Sequence, residues 1–173
     1  MLISHEYRRD IIEMHRISDT WGSRGHNWCY MAAGIALIDD CATVLDYGCG
    51  KGALNRILGR HFRVQDYDPG IQAVSSPPTP ADLVVCADVM EHIEPDCVDD
   101  VIKDLRRLTQ KRLFVVISTI LAGKNLPSGR NAHLTVQPAE WWLEKLNAFK
   151  FETRRTFDTR DNLLVALLEP FKK

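Results

Sequence analysis

The sequence predicts an α/β protein built on a doubly wound, mostly parallel sheet, with helices on both faces and an antiparallel hairpin at its C-terminal end. Three observations carry this expectation. Short apolar runs, such as residues 81–86 (ADLVVC) and 113–118 (LFVVIS), alternate with segments of helical periodicity, as strands buried on both faces do. The first such run ends in an acid and then in alternating glycines that open a helix. The last two strand-like runs are separated only by a short polar turn, which is how paired neighbours read.

Taken in order, Tyr7, Ile11 and Met14 recur at helical spacing, so the chain starts as a helix. It breaks at residues 20–25 (TWGSRG). A second helix begins near Asn27, with Trp28, Met31, Ile35 and Ile38 expected on its inner side. Residues 43–46 form the first strand and 53–59 the helix after it. Residues 62–67 and 81–86 are the next strands. Between them, Ser75-Ser76-Pro77-Pro78-Thr79-Pro80 suits neither a helix nor a central strand. Residues 95–109 carry the stripe Val98, Ile102, Leu105 and Leu108, an amphipathic helix. A strand at 113–118 leads into a long loop, 119–137. Pro138 stands at a helix start, and Trp142, Leu146 and Phe149 continue that helix. Strands at 151–157 and 163–169, joined by the turn 159–162, close the chain.

The length, 173 residues, suits a single domain spanning 1–173, with 1–40 as a helical cap and 41–173 as the core. Apolar residues make up 45% and charged residues 26%, which argues against disorder, and a net charge of -1 lacks the basic excess of a phosphate-neutralising protein. The basic pairs Arg106-Arg107, Lys111-Arg112 and Arg154-Arg155 have no interleaved aromatics, so they read as solvated surface and nucleic acid is not expected as a partner. The five cysteines, Cys29, Cys41, Cys49, Cys86 and Cys97, are odd in number and form no C-x-x-C pair. Neither a disulfide framework nor a metal site is expected, and a reducing, cytoplasmic compartment is. No run has the length of a signal-peptide core or a membrane span.

The chemistry is concentrated in Val44-Leu45-Asp46-Tyr47-Gly48-Cys49-Gly50-Lys51-Gly52-Ala53-Leu54. Glycines at a strand–helix junction permit a tight turn and close approach of backbone to ligand. The helix start adds free N–H groups. The spacing G-x-G-x-G departs from the dinucleotide pattern G-x-G-x-x-G, and Gly50-Lys51-Gly52 lacks the Ser or Thr of a phosphate loop. Asp68 lies 20 residues after Gly48 at the end of the second strand. An acid there accepts hydrogen bonds from ribose hydroxyls; Asp66 is an alternative.

These residues resemble a known family. VLDYGCGKGAL is similar to motif I of the class I S-adenosylmethionine-dependent methyltransferases, Tyr67-Asp68-Pro69 resembles the acidic segment that follows it, and Ala87-Asp88-Val89-Met90-Glu91-His92-Ile93 resembles the segment after their fourth strand. Three motifs in order cover residues 40–120. The resemblance implies a Rossmann-like methyltransferase fold with S-adenosylmethionine as cofactor and S-adenosylhomocysteine as product. It assigns Asp46, Gly48, Cys49 and Gly50 to the methionine part, Asp68 and Pro69 to the ribose side, and Ala87 and Asp88 to the neighbourhood of the sulfonium. Only 12 residues, 69–80, separate Asp68 from the next strand. The family's third strand is therefore expected to be missing, which leaves adenine recognition unassigned.

The acceptor is expected to be a small molecule, methylated on oxygen, nitrogen or carbon. Methylation of a nucleotide, nucleic acid or protein, or a non-catalytic cofactor-binding subunit, remain alternatives. The Asn/Asp-Pro-Pro-aromatic segment of DNA amino-methyltransferases and the Pro-Cys of cytosine C5 enzymes do not occur after strand 81–86. His92 and His133 are the candidate catalytic residues, as bases or acceptor ligands. Glu91 and Arg130 are further candidates, and Tyr7, Trp21, His26 and Trp28 are candidates for a lid.

Overall fold

The computed structural model describes residues 1–159 and 162–171. Its centre is a six-stranded sheet of order β2-β1-β3-β4-β6-β5. The strands are β1 (Thr43–Tyr47), β2 (Arg63–Tyr67), β3 (Ala81–Ala87), β4 (Thr109–Ser118), β5 (Phe151–Phe157) and β6 (Leu163–Pro170). The first four run parallel; β6 is antiparallel to both β4 and β5. The expected closing hairpin is thus present, although Arg160 and Asp161 of its turn lie outside the described residues. Residues 69–80 contain one short 3-10 turn, Gln72–Val74, and no strand, so β2 is an edge of the sheet. The family's third strand is absent, as the short spacing predicts.

Side chains alternate between the two faces with the period of two that a strand imposes. Leu45, Tyr47, Val84, Cys86, Leu113, Val115 and Ile117 face α4 (Val98–Leu108) and α5 (Ala139–Ala148). Val44, Leu83, Val85, Phe114 and Val116 face α2 (Cys29–Ile38) and α3 (Ala53–Leu58). In α4, Val98, Val101, Ile102, Leu105 and Leu108 are buried, with acids in its first turn and arginines in its last, the order the helix dipole favours. The helix α1 (His5–Ile17) is capped by Ser4, whose hydroxyl accepts the Tyr7 N–H at 3.0 Å. It packs Tyr7, Ile11 and Met14 against Leu126 and Ala132 of the loop after β4. No described helix is long and apolar enough to cross a membrane.

Two details differ from expectation. In α2 the buried residues are Cys29, Ala32, Ile35 and Ala36, while Ile38 is 85% exposed. Short side chains let this helix lie close to the sheet, where Phe114 and Leu83 rise to fill the space. Strand β4 starts at Thr109 rather than 113, its polar first residues pairing with β3 through an irregular register. The Thr109 hydroxyl donates to Leu105 O at 2.7 Å and so ends α4.

Replacing fully buried Phe114 by Ala should cost about 3–5 kcal/mol of unfolding free energy. Ile38→Ser should stay within about 0.5 kcal/mol. Denaturant titration measures both, and a loss at Ile38 comparable to that at Phe114 would restore the helix face suggested by the sequence.

Candidate active site

The site is built at the C-terminal ends of β1, β2, β3 and β4. After Tyr47 the chain turns through Gly48 and Gly50 at φ of +81° and +51°, a region that side chains with a Cβ rarely adopt. Space forbids a Cβ as well: at Gly48 it would meet Val89, and at Gly50 the backbone of Gly22. The turn is fixed from the end of β2. Gly48 N–H and Cys49 N–H both donate to Tyr67 O, at 2.7 and 3.0 Å. Gly50 N–H donates to Asp68 Oδ2 at 3.1 Å, and Gly70 N–H to Oδ1 at 2.8 Å. From above, Lys51 N–H reaches Gly22 O at 2.9 Å, so the break after α1 sits directly on the turn.

A cavity of about 840 Å³ opens beside it. Asp46, Gly48, Cys49 and Gly50 border it from the turn, Asp68 and Pro69 from the end of β2, and Ala87 and Asp88 from the end of β3. His92 and His133 border it from the opposite side. These ten residues therefore face one space, whereas the further candidates Asp66, Glu91 and Arg130 do not line it. Asp88 holds φ of +55°, which aspartate tolerates better than most residues. Its carboxylate accepts the Trp28 indole N–H at 3.3 Å.

The cavity wall is acidic. Burial, reinforced by the charges of Asp66 and Asp68, pushes the Asp46 carboxyl up to about 8. Burial also raises the carboxyl of Asp88 and raises the Cys49 thiol, with the charge of Asp46 next in effect. Cys49 is thus a protonated, buried thiol and no nucleophile. Three carboxylates around one cavity suit a cationic ligand and oppose an anionic one.

His92 donates Nδ1–H to Ala132 O at 2.7 Å, and its ring lies edge-on to Trp21 at 5.0 Å and to His133 at 4.9 Å. Burial, then the His133 charge, lowers its pKa to about 4. It is a neutral imidazole with a free Nε2 and a weak base at neutral pH. His133 donates Nδ1–H to Ile120 O at 2.6 Å.

Arg130 lies elsewhere than expected of an acceptor ligand. Its guanidinium is 3.3 Å from both Asp10 and Glu94. Ser128 adds its N–H and hydroxyl to the same Asp10 carboxylate, at 3.1 and 2.6 Å. Residues 119–137 are thereby clasped to α1. Tyr7, Trp21 and Trp28 border the cavity, whereas exposed His26 does not. Among the basic pairs, Arg107, Lys111, Arg112 and Arg154 each face a carboxylate.

His15 was not evident from motifs. Its Nε2 is 3.5 Å from Asp68 Oδ2 and its ring borders the cavity. The signal available was spacing: it follows Ile11 by one helical turn. Arg24 likewise borders the cavity, from a glycine-flanked segment with no periodicity.

Comparisons with known proteins agree with this geometry. Residues 14–168 match the family described as "Methyltransferase domain". No curated protein matches the sequence. The Burkholderia thailandensis 1,6-didemethyltoxoflavin-N1-methyltransferase, solved with its substrate and S-adenosylhomocysteine, superposes with a TM-score of 0.71 at 17% identity, over 99% of this chain and 92% of that one. Magnesium protoporphyrin IX methyltransferase from Synechocystis PCC 6803, with bound SAM, gives 0.67 at 15% identity, over 97% and 99%. DhpI in complex with SAH gives 0.63 at 17% identity, over 98% and 100%. The strand order, the glycine turn with its acid and the family match over most of the chain make it a member of the methyltransferase-domain family, with the fold of the class I S-adenosylmethionine-dependent enzymes.

Proposed function

We propose that this chain transfers the methyl group of S-adenosylmethionine to an oxygen, nitrogen or carbon atom of a small-molecule acceptor. The observation that carries the reading is the cavity itself. It joins a turn stripped of side chains to three carboxylates, Asp46, Asp68 and Asp88. A cofactor with a sulfonium and an ammonium group is complementary to that wall, while the pyrophosphate of a dinucleotide is not. Each oxygen of Asp68 already accepts one backbone N–H; Oδ2 also has His15 Nε2 at 3.5 Å, and Oδ1 keeps a further lone pair for a ribose hydroxyl. Gly48, Cys49 and Gly50 would pass along the methionine part, with Asp46 near its ammonium group, Pro69 beside the ribose, and Ala87 and Asp88 near the sulfonium. The cofactor supplies an electrophilic methyl group. What the chain adds is alignment and exclusion of water, which need no dedicated base.

A small acceptor is supported by size and lining. At about 840 Å³ the cavity lies in the upper part of the range of small-molecule sites, roughly 300–1,000 Å³. Ile120, Leu121 and Ala122 give its outer wall an apolar character beside His92 and His133. Similar structures include a 1,6-didemethyltoxoflavin-N1-methyltransferase and a magnesium protoporphyrin IX methyltransferase. We place 1–40 as a cap on a core of 41–173 within one unit, in a reducing cytoplasmic setting that five free, buried thiols support.

Calorimetric titration tests the reading. S-Adenosylmethionine and S-adenosylhomocysteine should bind and NAD should not; no binding of the first two would overturn it. Asp68→Asn, which keeps the shape of the side chain, should weaken both by more than about tenfold through loss of charge-assisted hydrogen bonds. Unchanged affinity in the folded variant would remove Asp68 from the ribose.

The Asp46 carboxyl is protonated in the free protein below about 8. A cation bound beside it favours the ionised form, so binding should release a proton and strengthen as pH rises toward 8, then level off. Titrations in buffers of different ionisation enthalpy count the protons. Proton uptake, or affinity falling across that range, would contradict the assignment.

A further inference from the structure

At the edge of the cavity, where His92 and His133 line it and buried Glu91 lies behind them, is a second kind of chemistry. Glu91, His92 and His133 each offer a ligand atom within 4.8 Å of the others. The imidazoles are held in one protonation pattern. A carbonyl oxygen can only accept, so the contacts to Ala132 O and Ile120 O place the proton on Nδ1 of each ring. In each ring Nε2 is thereby the atom left for a metal. Such an arrangement, with the distal N–H given to a backbone carbonyl, is how metal-bound histidines are oriented.

Glu91 adds the independent sign. It is 1% exposed, and its Oε1 accepts the Ser118 N–H at 3.2 Å. Its Oε2 is buried and has no hydrogen-bond partner among the described residues. An orphaned carboxylate oxygen inside a protein is costly, and groups of this kind are ordinarily found paired or coordinating a metal. The backbone also braces Glu91 and His133 to one another's neighbourhood: Thr135 N–H donates to Glu91 O at 3.0 Å, and the Thr135 hydroxyl to Ile93 O at 2.7 Å.

We propose that Glu91, His92 and His133 form a binding site for a divalent transition-metal cation, with Glu91 Oε2 and the two Nε2 atoms as ligands. Two imidazoles and one carboxylate are a donor set for zinc and its neighbours, and unsuited to magnesium or calcium. Coordination at roughly 2.0–2.2 Å from each atom would draw the three together by about an ångström. Three protein ligands leave at least one position open, and two of the three, His92 and His133, border the cavity. Water would fill the open position, or an oxygen or nitrogen of the acceptor. The sequence suggests no such site, because the search for one looks to cysteine spacing and His133 stands 41 residues beyond His92. The site borders the space proposed for the acceptor, yet its test does not depend on that reading.

Tag-free protein stripped with EDTA is titrated with Co²⁺, followed by its visible absorption, and with Zn²⁺ in competition with a chelating dye. The same preparation is titrated with S-adenosylhomocysteine. We expect one equivalent of metal, bound at micromolar concentration or below, with no thiolate-to-cobalt charge-transfer band. His133→Ala and Glu91→Gln should each weaken uptake at least about 100-fold, since even outer-shell changes cost 10–100-fold. Zn²⁺ should raise the melting temperature of the parent protein and leave that of His133→Ala unmoved. If Glu91→Gln does not fold, His133→Ala, whose side chain is only partly buried, decides alone. No uptake at hundreds of micromolar metal, a thiolate band, or uptake indifferent to His133→Ala overturns the proposal. Failure of metal binding with intact S-adenosylhomocysteine binding sinks this site alone, and the reverse result sinks the function proposed above.

Discussion

The carboxylate of Asp68 accepts the Gly50 N–H on one oxygen and the Gly70 N–H on the other, while the preceding carbonyl, Tyr67 O, takes two more N–H groups from Gly48 and Cys49. Three of these bonds connect the end of β2 to the turn that follows β1, and the fourth, from Gly70, fixes the Asp68 carboxylate from its own loop. Without them the turn would hold several buried N–H groups unsatisfied in a conformation already confined to glycine. The cap depends on the same turn, since Gly22 packs against Gly50 and accepts from Lys51. The cavity floor, its acidic wall and the placement of the N-terminal segment thus share one origin.

The electrostatic character of the cavity follows from that geometry. Asp46 and Asp66 are register partners on adjacent parallel strands, and Asp68 follows two residues later. Acids brought so close raise one another's proton affinity. Burial, then the charges of Asp66 and Asp68, keep the Asp46 carboxyl protonated up to about 8, and a cation bound beside it would favour the ionised form. On the opposite wall burial, then the His133 charge, holds the His92 imidazole low, to about 4, and the Arg24 guanidinium borders the same cavity.

How much of this was readable in the sequence depends on the distance over which a feature is decided. The glycine turn, Asp68 and the Ala87-Asp88 segment answer local backbone needs, so their spacing announced them. The missing third strand was equally plain, because residues 69–80 are too few and too rich in proline. The inner face of α2 was not. That helix, CYMAAGIALI, is apolar all round, and only the size of Phe114 and Leu83 beneath it fixes its phase. Arg130 looked available for an acceptor because its partner Asp10 lies 120 residues away. His15 was obscured for the same reason: it meets Asp68 only when distant segments fold over one sheet.

The bare edge beside β2 carries one last consequence. A sheet that ends in an unpaired strand is a template for pairing with another chain. Here Thr79 gives its N–H and its hydroxyl to the Gln65 side chain of that strand, at 3.1 and 2.9 Å. The neighbouring Pro77, Pro78 and Pro80 have no N–H to donate. The segment left by the lost strand therefore lies along the margin without being able to extend it. At the far margin, Arg154 and Arg155 on β5 put charge where a second sheet would have to dock. Loss of a strand has been accommodated by making its remnant a guard against edge-to-edge aggregation.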